Sequence, residues 1–161
     1  MSGIPDNIVG TPIRIVSSSS AMVLDTQVPV PAPGIPIVLN PPSEGPSQQL
    51  WQITPAGDGD DVFGIALVGS SVVPLALDVP DASQDPGAPI ILNIRPLEGP
   101  SPSQRWRIVP AGDDGFTILG ASSGLALDVQ GASQDPGAPI VQNPPRPGTS
   151  SQLWQLVPAP L

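Results

Sequence analysis

Apolar residues in this chain come in short runs such as PIRIV, LALDV, PIVLN and LWQI, each bounded by Pro, Gly or Ser. Runs of that length between turn-forming residues read as β-strands, because Gly and Pro punctuate the backbone where a ladder cannot continue. No segment of ten or more residues keeps a 3.6-residue apolar period free of Pro and Gly, so helix is expected to be nearly absent. The pattern predicts strands at 12–16, 22–26, 36–40 and 49–54, then at 62–68, 74–79, 89–94 and 104–109. A last set follows at 115–119, 124–129, 139–143 and 152–157. Proline falls before or after these strands rather than at their centres, as the missing N–H donor requires. The fold class is all-β.

The runs also repeat. ASQDPGAPI occurs at 82–90 and again at 132–140, and the tripeptide Gln-x-Trp occurs at 49–51, 104–106 and 152–154. Upstream of each Gln-x-Trp lies an apolar-Leu-Asp, ending at Asp25, Asp78 and Asp128. An Asn follows each Asp by 15 residues, at Asn40, Asn93 and Asn143, and the Gln follows it by 24, 26 and 24. One such unit cannot bury its apolar face alone. Three units closing on a pseudo-threefold axis can, and closure also removes exposed sheet edges. The expectation is one domain over residues 1–161, a β-trefoil of three repeats at about 11–54, 55–109 and 110–161.

Composition narrows the function. The 25 Pro and 17 Gly make up about a quarter of the chain, a level at which disorder is considered, but the regular apolar runs argue for an ordered core. With three Trp, two Phe and no Tyr, that core must be built mainly of Val, Ile, Leu and Ala. The net charge is −9, from 14 acidic residues against five Arg, with no His, so phosphate backbones are repelled and nucleic acid is not expected as a partner. No run of 18 apolar residues is present, so no membrane span is expected. The N-terminus MSGIPDNIVG lacks the basic and apolar regions of a leader, and a cytoplasmic location follows as the expectation. Absence of Cys excludes disulfides, a thiolate nucleophile and Cys-based zinc. The tract GDGDD at 57–61 lacks the spacing and terminal Glu of a calcium loop and reads as a solvated turn. Carboxylate pairs such as Asp113–Asp114 sit in turns with no aromatic cleft to raise a pKa, so neither catalysis nor a cofactor is expected.

Three Gln-x-Trp motifs, each about 25 residues after a Leu-Asp, resemble the ricin-B-type (R-type, QxW) β-trefoil lectins, including cysteine-free fungal and bacterial members. The resemblance spans about residues 11–158. It implies that Trp51, Trp106 and Trp154 are core residues, and that Asp25, Asp78 and Asp128 accept hydrogen bonds from vicinal sugar hydroxyls, strengthened by charge. It also implies an aromatic ring about 15 residues after each Asp, stacked on the sugar. Here this chain departs from the family, because Asn40, Asn93 and Asn143 stand at that offset. The candidate carbohydrate-binding sets are therefore Asp128, Gln130, Gly131, Gln142 and Asn143 in unit three, Asp78, Asp81 and Asn93 in unit two, and Asp25, Gln27 and Asn40 in unit one. Units two and three, which share ASQDPGAP, are the better candidates.

The resemblance implies terminal galactose or N-acetylgalactosamine on glycoproteins or glycolipids as the partner. With several live sites, or as a homodimer, such a protein agglutinates cells. Three readings stay open: binding through polar contacts alone, binding with Ile, Pro or a loop as the apolar face, or loss of glycan binding with the scaffold kept. An Asp at a strand end also caps the N–H groups of the loop that follows it, which would repeat for purely structural reasons. The competing class is a protein-binding module, similar to the mushroom β-trefoil protease inhibitors. It would act through the Pro-rich loops VPVPAPG (28–34), RPLEGPSPS (95–103) and PPRPGTS (144–150), which bind at low entropy cost.

Overall fold

The computed structural model describes residues 4–43, 49–57, 59, 61–69, 73–112 and 115–159. Parts of two tracts singled out above, Asp58 and Asp60 of GDGDD and the pair Asp113–Asp114, lie outside the described residues. Each apolar run becomes a strand. Unit one contributes β1 (Ile13–Ser17), β2 (Val23–Thr26), β3 (Ile37–Asn40) and β4 (Trp51–Pro55). Unit two contributes β5 (Val62–Leu67), β6 (Leu75–Asp78), β7 (Ile91–Ile94) and β8 (Trp106–Pro110). Unit three contributes β9 (Phe116–Gly120), β10 (Ala126–Val129), β11 (Ala138–Asn143) and β12 (Trp154–Pro158).

These bounds fall within two residues of those predicted, with one systematic difference. The fourth strand of each unit starts at the Trp, not at the Gln. In units two and three a short 3-10 turn, Pro102–Gln104 or Ser150–Gln152, ends on the Gln and turns it away from the ladder. The reason becomes visible at the site.

The first and fourth strands form a closed ring: β1 pairs with β4 and β12, β4 with β5, β5 with β8, β8 with β9, and β9 with β12. The second and third strands form three antiparallel hairpins, β2–β3, β6–β7 and β10–β11. A six-stranded barrel capped by three hairpins is the β-trefoil. Trp51, Trp106 and Trp154 are wholly buried, and each indole Nε1 donates to the carbonyl of Leu24, Leu77 or Leu127 at 3.1–3.2 Å. A buried indole needs such a partner. The bond ties each barrel lobe to the residue just before the repeated Asp, which is why Leu-Asp and Gln-x-Trp travel together in the sequence.

The hairpins are sewn to one another through the loop that ASQDPGAPI repeats. The N–H of Gly34 donates to Leu92 O, that of Gly87 to Gln142 O, and that of Gly137 to Leu39 O, each at 2.7 Å. These glycines sit at φ of +89, +85 and +85°, a backbone region that L side chains disfavour. Each therefore turns its N–H onto the third strand of the neighbouring unit. The repeated loop is a cap fastening, whatever else it does.

Candidate functional site

The repeated Asp, Asn and Gln meet in all three units. In unit one, the Asp25 carboxylate accepts from the Thr26 N–H at 2.7 Å, from Asn40 Nδ2 at 3.0 Å and from Gln49 Nε2 at 3.2 Å. In unit two, Asp78 accepts from the Val79 N–H at 2.7 Å, Asn93 Nδ2 at 3.0 Å, Gln104 Nε2 at 3.3 Å and the Ser103 hydroxyl at 2.6 Å. In unit three, Asp128 accepts from Asn143 Nδ2 at 3.0 Å, Gln152 Nε2 at 3.3 Å and Arg146 Nη2 at 3.4 Å.

The Gln of each Gln-x-Trp does a second job. Its Nε2 also donates to a carbonyl just past the Asn: Pro41 O, Ile94 O or Pro144 O, at 2.9–3.0 Å. Its Oε1 accepts the N–H of Ser43, Ser101 or Arg146 at 2.8–3.2 Å. A single amide thus pins the loop between the third and fourth strands and aims a donor at the carboxylate. To reach both, it has to leave the ladder, which explains the late start of β8 and β12. The fixed Asp-to-Asn spacing is explained by these internal bonds, with or without a ligand.

The other candidates are placed unequally. Gln27, Asp81, Gln130 and Gly131 are exposed in the turns after the second strands. Asn40, Asn93 and Asn143 are half-buried beside their carboxylates. The Asn40 Oδ1 also accepts the Gly137 N–H at 3.1 Å, so that amide is engaged at both ends. Gln142 is not brought to Asp128. It is wholly buried and its Nε2 donates to Ser83 O and Asp85 O of unit two, at 3.0 and 3.1 Å. In the β10–β11 ladder Gln142 faces Leu127, whereas Asp128 faces Val141, so the two side chains leave opposite faces. Leu39 and Leu92 occupy the same repeat position and are likewise buried.

Openness separates the units. Asp25 is half-buried, whereas Asp78 and Asp128 are buried. Yet one of the donors to Asp128 is an arginine, with its side chain 63% exposed and its contact with Oδ2 long for a charged hydrogen bond. Asp128 Oδ1 and the Ser151 hydroxyl are buried without partners among the described residues. Arg146, Ser103 and the three Gln were not among the residues the sequence nominated. The Gln were readable as donors from their recurrence 24, 26 and 24 residues after the Asp, but Arg146 was not, because unit one has Ser43 in its place.

The family model of the ricin-type β-trefoil lectin domain-like proteins matches residues 7–93 and 101–160. No protein of curated function matches the chain in sequence. Among solved structures, the designed threefold-symmetric protein ThreeFoil is 29% identical with a TM-score of 0.81, over 92% of this chain and 99% of that one. An exo-β-1,3-galactanase from Clostridium thermocellum is 28% identical with a TM-score of 0.78, over 97% of this chain but only 31% of the enzyme. The earthworm R-type lectin C-half, in complex with GalNAc, is 22% identical with a TM-score of 0.65, over 92% of this chain and 99% of that one.

Proposed function

The chain belongs to the ricin-type β-trefoil lectin domain-like family, and from that premise we propose that it is a non-catalytic carbohydrate-binding protein whose best-provided pocket is in unit three. One observation carries the choice of unit: of the three repeated carboxylates, that of Asp128 keeps an oxygen with no donor among the described residues, while its other oxygen is contacted at 3.4 Å by the exposed Arg146. A sugar hydroxyl that displaces the Arg146 guanidinium from Oδ2 replaces one donor by another. Asn143 is half-buried against Asp128, and Gln130 is exposed two residues after it. Each of the three networks contains one carboxylate, held by amide donors. Glycoside hydrolysis needs two, with one kept protonated, so binding rather than cleavage fits the chemistry.

Galactose or N-acetylgalactosamine is the proposed ligand, as a terminal residue on glycoproteins or glycolipids. The GalNAc bound to the earthworm lectin supports this choice. Because Asn stands where the stacking ring would be, little apolar area is buried per site. Monovalent affinity is therefore expected to be weak, about millimolar, with avidity supplied by the half-open Asp25 site or by a second copy.

The test is a glycan array followed by titration with Asp128→Asn, which keeps the shape of the side chain and removes its charge. A loss of at least about tenfold in affinity, roughly 1.4 kcal/mol, is expected. No glycan signal from the wild-type protein sinks the reading, and unchanged binding by the variant sinks the assignment to unit three. A second reading rests on Leu97, 91% exposed between Pro96 and Glu98 in a Pro-rich loop. An apolar tip on a stiff loop suits a protein partner. Inhibition of papain or trypsin, lost in Leu97→Ala, would favour it.

A further inference from the structure

Pseudo-symmetry creates three equivalent spaces outside the barrel, each between the first strand of a unit and its Gln-x-Trp loop. Ile13, Phe63 and Phe116 face Trp51, Trp106 and Trp154 in the ladders, so the next residues, Arg14, Gly64 and Thr117, are equivalent. Across each space, Ser43, Ser101 and Arg146 are equivalent as the N–H donors to the Gln side chain.

Among the described residues, two of the spaces are entered by the chain's own side chains. In unit one the Arg14 side chain crosses the space, and its Nη2 donates to Ser43 O at 2.9 Å. In unit two the buried Pro100 rests on Gly64, where an added Cβ would meet Pro100 Cγ at 3.5 Å. In unit three the loop has the length it has in unit one, nine residues from Asn to Gln, but Thr117 is too short to cross. What remains is a cavity of about 350 Å³ lined by Pro110, Ala111, Thr117, Pro145, Gly148 and Leu153 among others. That volume lies within the range of ligand pockets.

We propose that this cavity receives an arginine side chain presented by a partner protein, in the way that Arg14 fills the same space in unit one. Its methylene stem lies along the Pro, Ala and Leu walls. Its guanidinium donates to Arg146 O, the counterpart of Ser43 O. That carbonyl already accepts the Thr149 N–H at 3.0 Å and has a second lone pair for the incoming donor. The one cation lining the cavity, Arg146, is paired with Asp128, and the chain as a whole carries −9, which draws a cationic partner. A guanidinium, being weakly hydrated, is the cation best suited to a partly apolar socket.

The probe is n-butylguanidinium, titrated into the full chain and followed by amide NMR, with n-butanol as the neutral control and an acetyl-Gly-Arg-Gly-amide peptide as the partner mimic. Saturable shifts at Thr117, Gly148 and Leu153 are expected, at least fivefold weaker with butanol. Thr117→Arg fills the cavity from within, raises Tm by about 2 °C and abolishes the shifts. Thr117→Met serves as a second filling variant and weakens the probe as well. Failure of the guanidinium to shift these residues overturns the proposal, as does equal binding of butanol or an unchanged titration in a well-folded filled variant. The shifts are read with no glycan present, so this test fails or succeeds independently of the lectin reading.

Discussion

Units two and three share nine consecutive residues in the stretch that leads from their second strand into the third, yet their carboxylates are treated differently. Asp78 is closed over by four donors, two on each oxygen. Asp128 has three donors crowded on Oδ2 and none on Oδ1. The shared loop cannot cause this, because its glycine N–H is spent on the neighbouring unit. Unit three has a serine at the position of Ser103, Ser151 just before Gln152, but its hydroxyl has no partner among the described residues, and the loop leading to it, 144–151 against 94–103, is two residues shorter. Shared sequence marks the scaffold here, and function is decided where the units diverge.

The comparison breaks most visibly in stability. Asp78→Ala strands four donors and is expected to cost about 3 kcal/mol, whereas Asp128→Ala, losing three donors of which one is exposed, costs about 2 kcal/mol. Urea unfolding of both variants checks the order, and equal losses would remove the difference between the units. The serines give a sharper version. Ser103→Ala loses a charge-assisted bond worth about 1.5 kcal/mol, while Ser151→Ala deletes a hydroxyl with no partner and is expected to stabilise by roughly 0.5 kcal/mol. A destabilised Ser151→Ala would mean that this hydroxyl bonds Asp128 in solution. The smallest effect lies in the turns after β6 and β10. Asp81 holds φ of +54° where unit three has Gly131 at +63°, and a Cβ at Gly131 would meet nothing within 4 Å. Exchanging the two therefore tests backbone strain alone. Asp81→Gly should gain about 0.5 kcal/mol and Gly131→Asp lose a similar amount, read as opposite shifts of the thermal midpoint.

The strands and the threefold closure were legible because short apolar runs between Pro and Gly, repeated three times, have few other solutions. Asp25, Asp78 and Asp128 were legible too, with their Asn partners at a constant offset. What the offset served was not. A repeat that binds a ligand and a repeat that braces a loop keep the same spacing, and only the Gln amide, reaching carboxylate and backbone together, tells them apart. Gln142 was misplaced for a simpler reason. Its polarity suggested a pocket, but the same repeat position holds Leu39 and Leu92, which already said that it faces inward. Arg146 beside Asp128 stands where the other units have Ser43 and Ser101, so no repeated residue in the chain announced it.

The glycine fastenings of the cap form a circle: unit one grips unit two, two grips three, and three grips one. A circle has no first member. The order in which the units follow one another along the chain is therefore incidental to the cap, and no pair of units can complete it. Each unit remains half-fastened until the third arrives, so the assembly is bound to form and to fail as a whole.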